Sequence, residues 1–412
     1  MQGGRGFSGL LPPDESSSGG ESDLEVKVSE PLHLTKSLDD ALHRARRALS
    51  LALAFPVALI YLTPSVETLI DDKLRSVKRG TDTVLAIQTY RMPVLDVVLQ
   101  AITFMAEEEF YLVVLPVLFW VADYQLGFRL TFVICAGLFI GNIVKDVFQL
   151  PRPASPPVWR PHHNLDSTAL QDFGFPSTHA MNAVTNSLVV AWHYNRTDAP
   201  ALILCGLYVG LLSFSRLYLG AHTGTDIRGG LGLGALMFAA YVSLDADITR
   251  GLDALSPVQV TMGGLVLGSI LLLLVPQPRP PTPTFLQNAL LVGLHWGLCA
   301  GSRAATSEWK TEPLQGGMAT AGARMVAGFA LVAVTRVVVK QLVSVLVIHV
   351  AGINTKPVVK VLEKRNRVKG KVRLLTRDKD LVGLAIIKTL VYFSVAVQIT
   401  FGAPWLFSML DI

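Results

Sequence analysis

Three short polar segments, all within residues 145–226, hold the residue types that could do chemistry in this chain. They are Lys145–Pro153, Pro176–His179 and Ser215–Asp226, and each lies between apolar runs or at the end of one. Together they supply cations, histidines and a carboxylate. Ionisable side chains beside apolar spans are costly unless they bind something, so this stretch predicts a functional site.

The cations in these segments are Lys145, Arg152 and Arg216, and the anion that they suit is a phosphate monoester. Phosphoryl transfer depends on fixed positive donors, and arginine offers a planar fork that binds two oxygens at once. Ser177 and Thr178 directly precede an apolar run, so their N–H groups would lie at a helix N-terminus, a natural anion site. The Ser177 hydroxyl can also donate. We therefore predict that these five residues bind the phosphate.

Two histidines can divide the catalytic work. Asp226 follows His222 by four residues, which places both on one face if the segment is helical. A carboxylate at one ring nitrogen fixes the tautomer and leaves the other nitrogen free to attack phosphorus. We predict His222 as the nucleophile and Asp226 as its orienting residue. His179 is then the general acid, which later activates water as a base.

We predict neither a metal ion nor a cofactor. No carboxylate cluster suitable for Mg²⁺ accompanies the cations in the sequence. Three cations against roughly two negative charges could hold the phosphoryl group without a metal. The cysteines (Cys135, Cys205 and Cys299) lie in apolar stretches without metal-ligand spacing, which predicts buried free thiols.

Each of these residues also has a purely structural interpretation. A single Lys or Arg at a helix end is commonly a snorkelling anchor, and a single histidine there is commonly a cap or packing residue. Three such segments in order on one predicted membrane face favour function over chance. We predict packing or interfacial roles for His193, His295 and His349, place His33 and His43 near the disordered end, and keep His162 and His163 as loop candidates for substrate contact.

The composition predicts an all-α, polytopic membrane bundle. Of 412 residues, 51% are hydrophobic and 16% are charged, whereas soluble domains carry about 25% charged residues. Several apolar runs approach the roughly 20 residues that a membrane span needs. Cytosolic loops and an anion site account for the net charge of +5, so we expect no nucleic-acid partner. The oligomeric state is not encoded in any visible feature.

Four regions follow along the chain. Residues 1–40 are rich in Gly, Ser and acidic residues, which predicts a disordered tail, and no signal peptide is visible. In residues 41–90 basic residues precede a short apolar run, which favours an interfacial amphipathic region over an extra span. Residues 91–245 form a predicted six-span core. Residues 246–412 hold two to four further membrane segments and a basic linker near 355–379.

The predicted core spans are separated by polar turns, one of them marked by Glu107, Glu108 and Glu109 at a membrane face. From a cytosolic N-terminus, strict alternation of all segments would put the basic linker in the lumen. The positive-inside rule favours the cytosol, so one segment does not span or the count differs. The predicted spans are 93–105, 110–121, 130–147, 180–192, 201–218 and 229–241, followed by apolar segments at 262–275, 285–299, 321–350 and 381–407.

The three polar segments resemble the motifs of the type 2 phosphatidic acid phosphatase superfamily. Lys145–Pro153 resembles its K-x6-RP motif, Pro176–His179 its PSGH motif, and Ser215–Asp226 its SR-x5-H-x3-D motif. Thr178 stands where the motif has glycine, so a side chain crowds the phosphate. This departure argues against a generalist for small substrates and leaves the chemistry untouched.

Finer features are similar to the sphingosine-1-phosphate phosphatase branch, which includes plant long-chain base phosphate phosphatases. They are the segments 107–111, 152–158 and 176–182 and the Pro-Thr-Pro turn at 281–283. The resemblance implies hydrolysis of sphingoid long-chain base 1-phosphates through a phosphohistidine at His222, without a metal. It also implies residence in the endoplasmic reticulum membrane with a lumenal active site.

Other functions stay open at this point. Within the superfamily, the substrate could be another lipid phosphate or a polyprenyl pyrophosphate, or the acceptor could be something other than water. Buried cations and helix N-termini also form anion sites in transporters, although a transporter would not need two histidines and an aspartate beside them. A catalytically silent scaffold is a third alternative, against which the intact catalytic set argues.

Overall fold

The structure, a computed structural model, describes residues 66–161, 172–276, 282–306, 309, 317–351 and 379–412. Several sequence predictions fall outside these ranges: the tail at 1–40, the 41–90 region up to residue 65, His162 and His163, and the basic linker up to residue 378. Those predictions remain predictions.

Most of the described residues lie in α-helices, and no strand occurs among them. Two π-helical segments, Leu118–Ala122 and Gln398–Gly402, directly follow α3 and α11. In chain order the helices are α1 (Val66–Gln88), α2 (Pro93–Phe104), α3 (Glu108–Val117), α4 (Tyr124–Phe148), α5 (Thr178–His193), α6 (Ala199–Tyr218), α7 (Gly224–Asp253), α8 (Pro257–Leu274), α9 (Thr284–Ala304), α10 (Met318–Ala351), α11 (Lys379–Val397) and α12 (Ala403–Leu410).

Six helical stretches are long and apolar enough to cross a membrane: α4, α6, α7, α8, α10 up to His349, and Leu381–Leu410. This confirms the predicted polytopic all-α bundle. In contrast, α2, α3 and α5 have 12, 10 and 16 residues, fewer than the roughly 20 of a straight span. Their assignment to the first, second and fourth spans remains a prediction.

Two glycines bring α5 and α7 into close contact. A Cβ at Gly230 would lie 2.3 Å from the Ser177 carbonyl oxygen, and one at Gly234 would lie 2.5 Å from that of Met181. Small residues at four-residue spacing allow membrane helices to approach in this way. The contact joins the starts of both helices, because Ser177 N–H donates to the Asp226 carbonyl oxygen at 3.0 Å.

The C-terminal part of the chain packs directly on α4. Asn142 donates to Asn288 Oδ1 at 3.0 Å in a buried contact with α9. The hydroxyls of Thr282 and Thr284 donate to the two carboxylate oxygens of Asp146 at 3.0 and 2.6 Å. Residues that follow the predicted core therefore hold the end of α4, next to Lys145.

Candidate active site

His222 and Asp226 face each other at the start of α7. His222 Nδ1 lies 3.6 Å from Asp226 Oδ2, and both side chains are fully buried. The same Oδ2 accepts a hydrogen bond from Thr223 N–H at 2.7 Å, as part of the capping box of α7. The carboxylate thus both caps the helix and faces the imidazole. The 3.6 Å separation is longer than a hydrogen bond.

A tight turn between α6 and α7 carries His222 to this position. Gly220 has a φ of 68°, in the left-handed region that favours glycine. A Cβ there would lie 2.3 Å from Val158 Cγ1 and 2.6 Å from the Trp159 carbonyl oxygen. The Gly220 carbonyl accepts a hydrogen bond from Arg160 Nε at 3.0 Å. A side chain at position 220 would therefore displace the turn that places His222.

Arg152 contacts the opposite nitrogen of the same imidazole. Its Nη1 lies 3.2 Å from His222 Nε2 and donates to the Ala221 carbonyl oxygen at 3.0 Å. Because a guanidinium only donates, the contact fits an Nε2 without a proton. Burial, followed by the charges of Arg152 and Arg216, holds the pKa of His222 well below its usual range. The ring is therefore neutral at physiological pH, with its bare nitrogen towards a cation.

Lys145 pairs with Asp172, a residue that the sequence analysis missed. The buried Lys145 Nζ contacts Asp172 Oδ2, which also accepts a hydrogen bond from Arg152 Nη2 at 3.3 Å. The other carboxylate oxygen, Oδ1, is buried without a hydrogen-bond partner among the described residues. Asp172 therefore bridges two predicted phosphate-binding cations, as an anionic oxygen of a substrate would.

Glu107 joins the second histidine to the third cation. Its Oε1 lies 3.2 Å from His179 Nε2 and 3.6 Å from Arg216 Nη1. Burial alone would raise the pKa of Glu107, but the close contact with His179 and the charges of Arg216 and Arg152 outweigh it. They lower this pKa to about 2, so the carboxylate is ionised. The sequence analysis assigned Glu107 only to a turn, although segment 107–111 carried part of the family resemblance.

Arg216 retains donors that the protein does not satisfy. Within the described ranges, its buried Nε and Nη1 have no hydrogen-bond partner. Buried donors without acceptors are unfavourable. The Glu107 carboxylate, 3.6 Å from Nη1, is too far away to accept a hydrogen bond, whereas a phosphoryl oxygen could do so. The side chain is therefore suited to an incoming anion.

Ser177 and Thr178 begin α5. Ser177 Oγ accepts a hydrogen bond from Ala180 N–H at 3.4 Å, so this hydroxyl caps the helix while its proton is free to donate. The Thr178 side chain packs on Gly141 of α4, where a Cβ would lie 2.9 Å from Thr178 Cγ2. The residue that departs from the family motif is thus accommodated by a glycine on the neighbouring helix.

A cavity of about 300 Å³ connects these groups. His222, Asp226 and Ser177 are buried and do not line the cavity. His222 lies behind Arg152, which does line it. The structure therefore brings all eight predicted site residues together, while their roles in a reaction remain predictions. The predicted residues that line the cavity are Lys145, Arg152, Thr178, His179 and Arg216, joined by Glu107, Arg160 and Asp172.

The other described histidines have structural surroundings, in keeping with their predicted packing roles. His193 Nε2 lies 2.9 Å from Asp123 Oδ2. The His295 ring packs on Phe132 with 4.2 Å between ring centroids. His349 Nδ1 lies 2.9 Å from the carbonyl oxygen one helical turn before it.

Comparison with known proteins agrees with this geometry. Residues 126–250, which contain all eight predicted site residues, match the model of the PAP2 superfamily. Lipid phosphate phosphatase delta of Arabidopsis thaliana is 29% identical over 58% of this chain and 59% of its own length. Sphingosine-1-phosphate phosphatase 2 of Homo sapiens is 33% identical over 37% of this chain and 38% of its own length.

A dihydrosphingosine 1-phosphate phosphatase of Schizosaccharomyces pombe is 27% identical over 56% of this chain and 58% of its own length. This chain thus spans between 38% and 59% of the length of these three relatives. A crystal structure of a transmembrane PAP2-type phosphatidylglycerolphosphate phosphatase from Bacillus subtilis, 23% identical, covers 49% of this chain and 96% of its own, with a TM-score of only 0.35. Residues 126–250 therefore match the PAP2 superfamily, and the chain is similar to sphingosine-1-phosphate and dihydrosphingosine 1-phosphate phosphatases, as its motifs predicted.

Proposed function

We propose that this chain is a membrane lipid phosphatase that hydrolyses sphingoid long-chain base 1-phosphates to free base and phosphate. The proposal rests on the two-sided setting of His222, whose Nδ1 faces Asp226 at 3.6 Å and whose Nε2 faces Arg152 at 3.2 Å. A carboxylate at one ring nitrogen leaves the other free to attack phosphorus. A cation beside that nitrogen is placed to hold the group under attack.

Binding begins with the exchange of one anion for another. Phosphoryl oxygens replace the Asp172 carboxylate between Lys145 and Arg152, and they accept hydrogen bonds from the unsatisfied donors of Arg216. The N–H groups at the start of α5, including that of Thr178, add the positive end of a helix. Movement of Arg152 towards the phosphate uncovers His222 Nε2.

In the first chemical step, His222 Nε2 forms a bond to phosphorus while the bond from phosphorus to the lipid oxygen breaks. His179 donates its proton to that oxygen, and the free base leaves as an alcohol. Asp226 stabilises the positive charge that develops on the His222 ring. Burial and the charge of Arg216 lower the pKa of His179 to about 4, and the ionised Glu107, 3.2 Å away, opposes this shift. The bound phosphoryl group adds a second negative charge, and the two anions together favour the protonated form that this step requires.

In the second step, a water oxygen attacks phosphorus and the phosphorus–nitrogen bond breaks, with its electron pair returning to His222. The neutral His179 takes the water proton, which regenerates it for the next cycle. Inorganic phosphate leaves from the cation cluster. The route needs no metal or cofactor.

Carboxylates beside the cations favour a substrate with a sphingoid headgroup. Glu107 and Glu108 line the same cavity as Lys145 and Arg216. A site with both signs of charge suits a substrate that carries an ammonium group as well as a phosphate. The names of the human and fission-yeast relatives agree with this substrate class.

The proposed location is the endoplasmic reticulum membrane, with the site facing the lumen and the N-terminus in the cytosol. It is supported by the family resemblance together with the six apolar helices. The substitution Asp166→Thr, which places a threonine two residues after Asn164 in the predicted polar loop that follows Arg152, completes a glycosylation acceptor and tests the orientation. Glycan attachment to that acceptor is expected, and an unmodified chain would reverse the orientation.

The activity is tested with purified full-length protein in detergent with EDTA and a long-chain base 1-phosphate. We expect phosphate release that survives the chelator and falls to background in His222→Ala. The Arg228→Lys variant, altered at an exposed residue of α7, is the matched control and should retain activity.

Three outcomes would change the proposal. Release from phosphatidate or a polyprenyl pyrophosphate alone would keep the mechanism and replace the substrate class. Release that EDTA abolishes would contradict the metal-free route. Anion flux into vesicles without any phosphate release would favour a transporter.

A further inference from the structure

The cavity extends well beyond the charged groups, between α4 and α9. One stripe of α4 lines it from Lys145 through Asn142, Leu138 and Cys135 to Thr131. These positions recur every three or four residues, as expected for a single helix face. The wall changes along this stripe from charged to apolar.

The opposite wall comes from helices outside residues 126–250, the part that matches the PAP2 superfamily. On α9, lining residues follow each other at three- or four-residue spacing from Gln287 through Leu291 and Leu294 to Leu298. Tyr392 and Val395 of α11 complete this wall. The C-terminal helices, to which the sequence analysis assigned no role, therefore form one side of the cavity.

The far end of the cavity is closed by the two π-helical segments. Phe119 of the first and Ile399 and Thr400 of the second line it. Trp120 Nε1 donates to the Ile399 carbonyl oxygen at 2.9 Å, and Tyr124 O–H donates to that of Thr400 at 3.0 Å. Short π-helical turns are rare and occur frequently at functional sites. The two segments are thus tied together into a floor.

The distance from the charged end to this floor suits one lipid chain. Lys145 and Thr131 are about 21 Å apart along α4, because an α-helix rises ~1.5 Å per residue. A lipid chain that reaches the middle of a bilayer is about 15 Å long, half of the hydrocarbon thickness, so it fits within this length. A volume of about 300 Å³, at the lower end for ligand pockets, is narrow when drawn out over this length.

The slot is also open to the side. Leu112 of α3 belongs to its wall, yet 53% of this residue is exposed. An apolar residue that is both lining and exposed marks a place where a chain can enter from the bilayer. A lipid need not leave the membrane to reach the floor.

We propose that this slot binds the single hydrocarbon chain of the substrate and that its closed end selects chain length. The proposal rests on the proposed function, since the charged end must hold the phosphate. Leu298 of α9 is the specificity-determining residue, because it is 1% exposed, lines the cavity and packs with Phe119, Trp120 and Tyr124 at the floor.

The test measures kcat/KM for a long-chain base 1-phosphate and for a homologue shorter by about six methylenes, in mixed micelles. For Leu298→Trp, which raises the floor, the long-to-short ratio of kcat/KM should fall by ~10-fold or more. For Leu298→Ala, which deepens the slot, the ratio for a longer homologue against the ordinary chain should rise. Leu265→Trp, at an exposed leucine of α8, controls for added bulk and should leave both ratios unchanged.

The two proposals fail differently. If the unmodified protein releases no phosphate from any homologue, or releases it equally well in His222→Ala, the proposed phosphatase activity is overturned. Release that is intact, with ratios unchanged in both Leu298 variants, would overturn the chain slot alone. If Leu298→Trp does not fold, judged by its melting temperature, an unchanged ratio in Leu298→Ala overturns the slot, and Leu294→Phe provides a second obstruction of the same wall.

Discussion

His222 Nε2 and Arg152 Nη1 are 3.2 Å apart, so the candidate nucleophile and a candidate phosphate-binding cation share one contact. Arg152 lines the cavity, whereas His222 does not. The guanidinium therefore controls access to the nitrogen that would attack. Its loss should affect both binding and chemistry, which distinguishes Arg152 from a residue that contributes charge alone.

Arg152→Lys should lower kcat by about 10²-fold, because lysine keeps the charge but loses the planar fork that spans the His222 ring and the phosphoryl oxygens. Phosphate release under saturating lipid measures the effect. Equal activity of Arg152→Lys and the unmodified protein would show that charge alone suffices.

Asp226→Asn should lower kcat by about 10²- to 10⁴-fold while leaving the fold intact, because the amide oxygen can still cap α7 but cannot stabilise a charged imidazole. Asp226→Ala should in addition lose the cap to Thr223 N–H, which costs about 1 kcal/mol. Thermal unfolding of both variants in detergent separates the two roles. An Asn variant as unstable as the Ala variant would contradict the separation.

Glu107→Gln should move the alkaline limb of the kcat profile to lower pH. The pKa of Glu107 is lowered to about 2, so the side chain is an anion throughout the working range and favours the protonated His179. Burial and the charge of Arg216 already lower the pKa of His179 to about 4, so without the carboxylate His179 loses its proton at a still lower pH, by about one unit or more. A pH series of kcat measures the shift, and Glu109→Gln, on the exposed neighbour, should show none.

Gly220→Ala should lower the melting temperature and the activity together. The left-handed backbone costs about 1–2 kcal/mol for a residue with a Cβ, and this Cβ would also clash with Val158 and the Trp159 carbonyl oxygen. Gly224→Ala, where a Cβ meets nothing within 4 Å, is the matched control for stability. Equal melting temperatures of the two variants would remove the turn from the account of how His222 is placed.

The site residues could be found in the sequence because their types and their order relative to apolar runs are local properties. His222 and Asp226 are four residues apart, and Ser177 lies directly before an apolar run. Because successive spans run in opposite directions, the polar segments at alternate helix ends lie on the same membrane face, where they can meet. Chemistry, periodicity and spacing together therefore sufficed to collect the residues, although not to establish their roles.

Glu107 and Asp172 could not be found in this way. Glu107 contacts His179 and Arg216, which are far away in sequence, and Asp172 reaches Lys145 and Arg152 from the end of a loop. Only the packing of several helices brings these partners together. Neither residue belongs to the three polar segments whose residue types pointed to the site.

Helix bounds were predicted less well for a related reason. The predicted span 229–241 lies inside α7, which runs from Gly224 to Asp253. Hydropathy marks only the apolar part of a helix, whereas the capping box at Thr223 fixes its start. The wall that α9 contributes to the cavity also escaped notice, because packing between distant helices leaves no short-range signal.

The position of Asp172 gives the two neighbouring cations, Lys145 and Arg152, an internal counter-ion. Without it, the buried ammonium of Lys145 and the adjoining guanidinium of Arg152 would repel each other without compensation, which is strongly unfavourable away from water. Under the proposed function, an arriving phosphate would not gain the full attraction of these charges, because it would first displace the Asp172 carboxylate from them. Net affinity is thus a small difference between two large attractions. In the proposed reaction the product phosphate would leave in the reverse exchange, with the carboxylate returning to the two cations, so turnover at this site would resemble ion exchange.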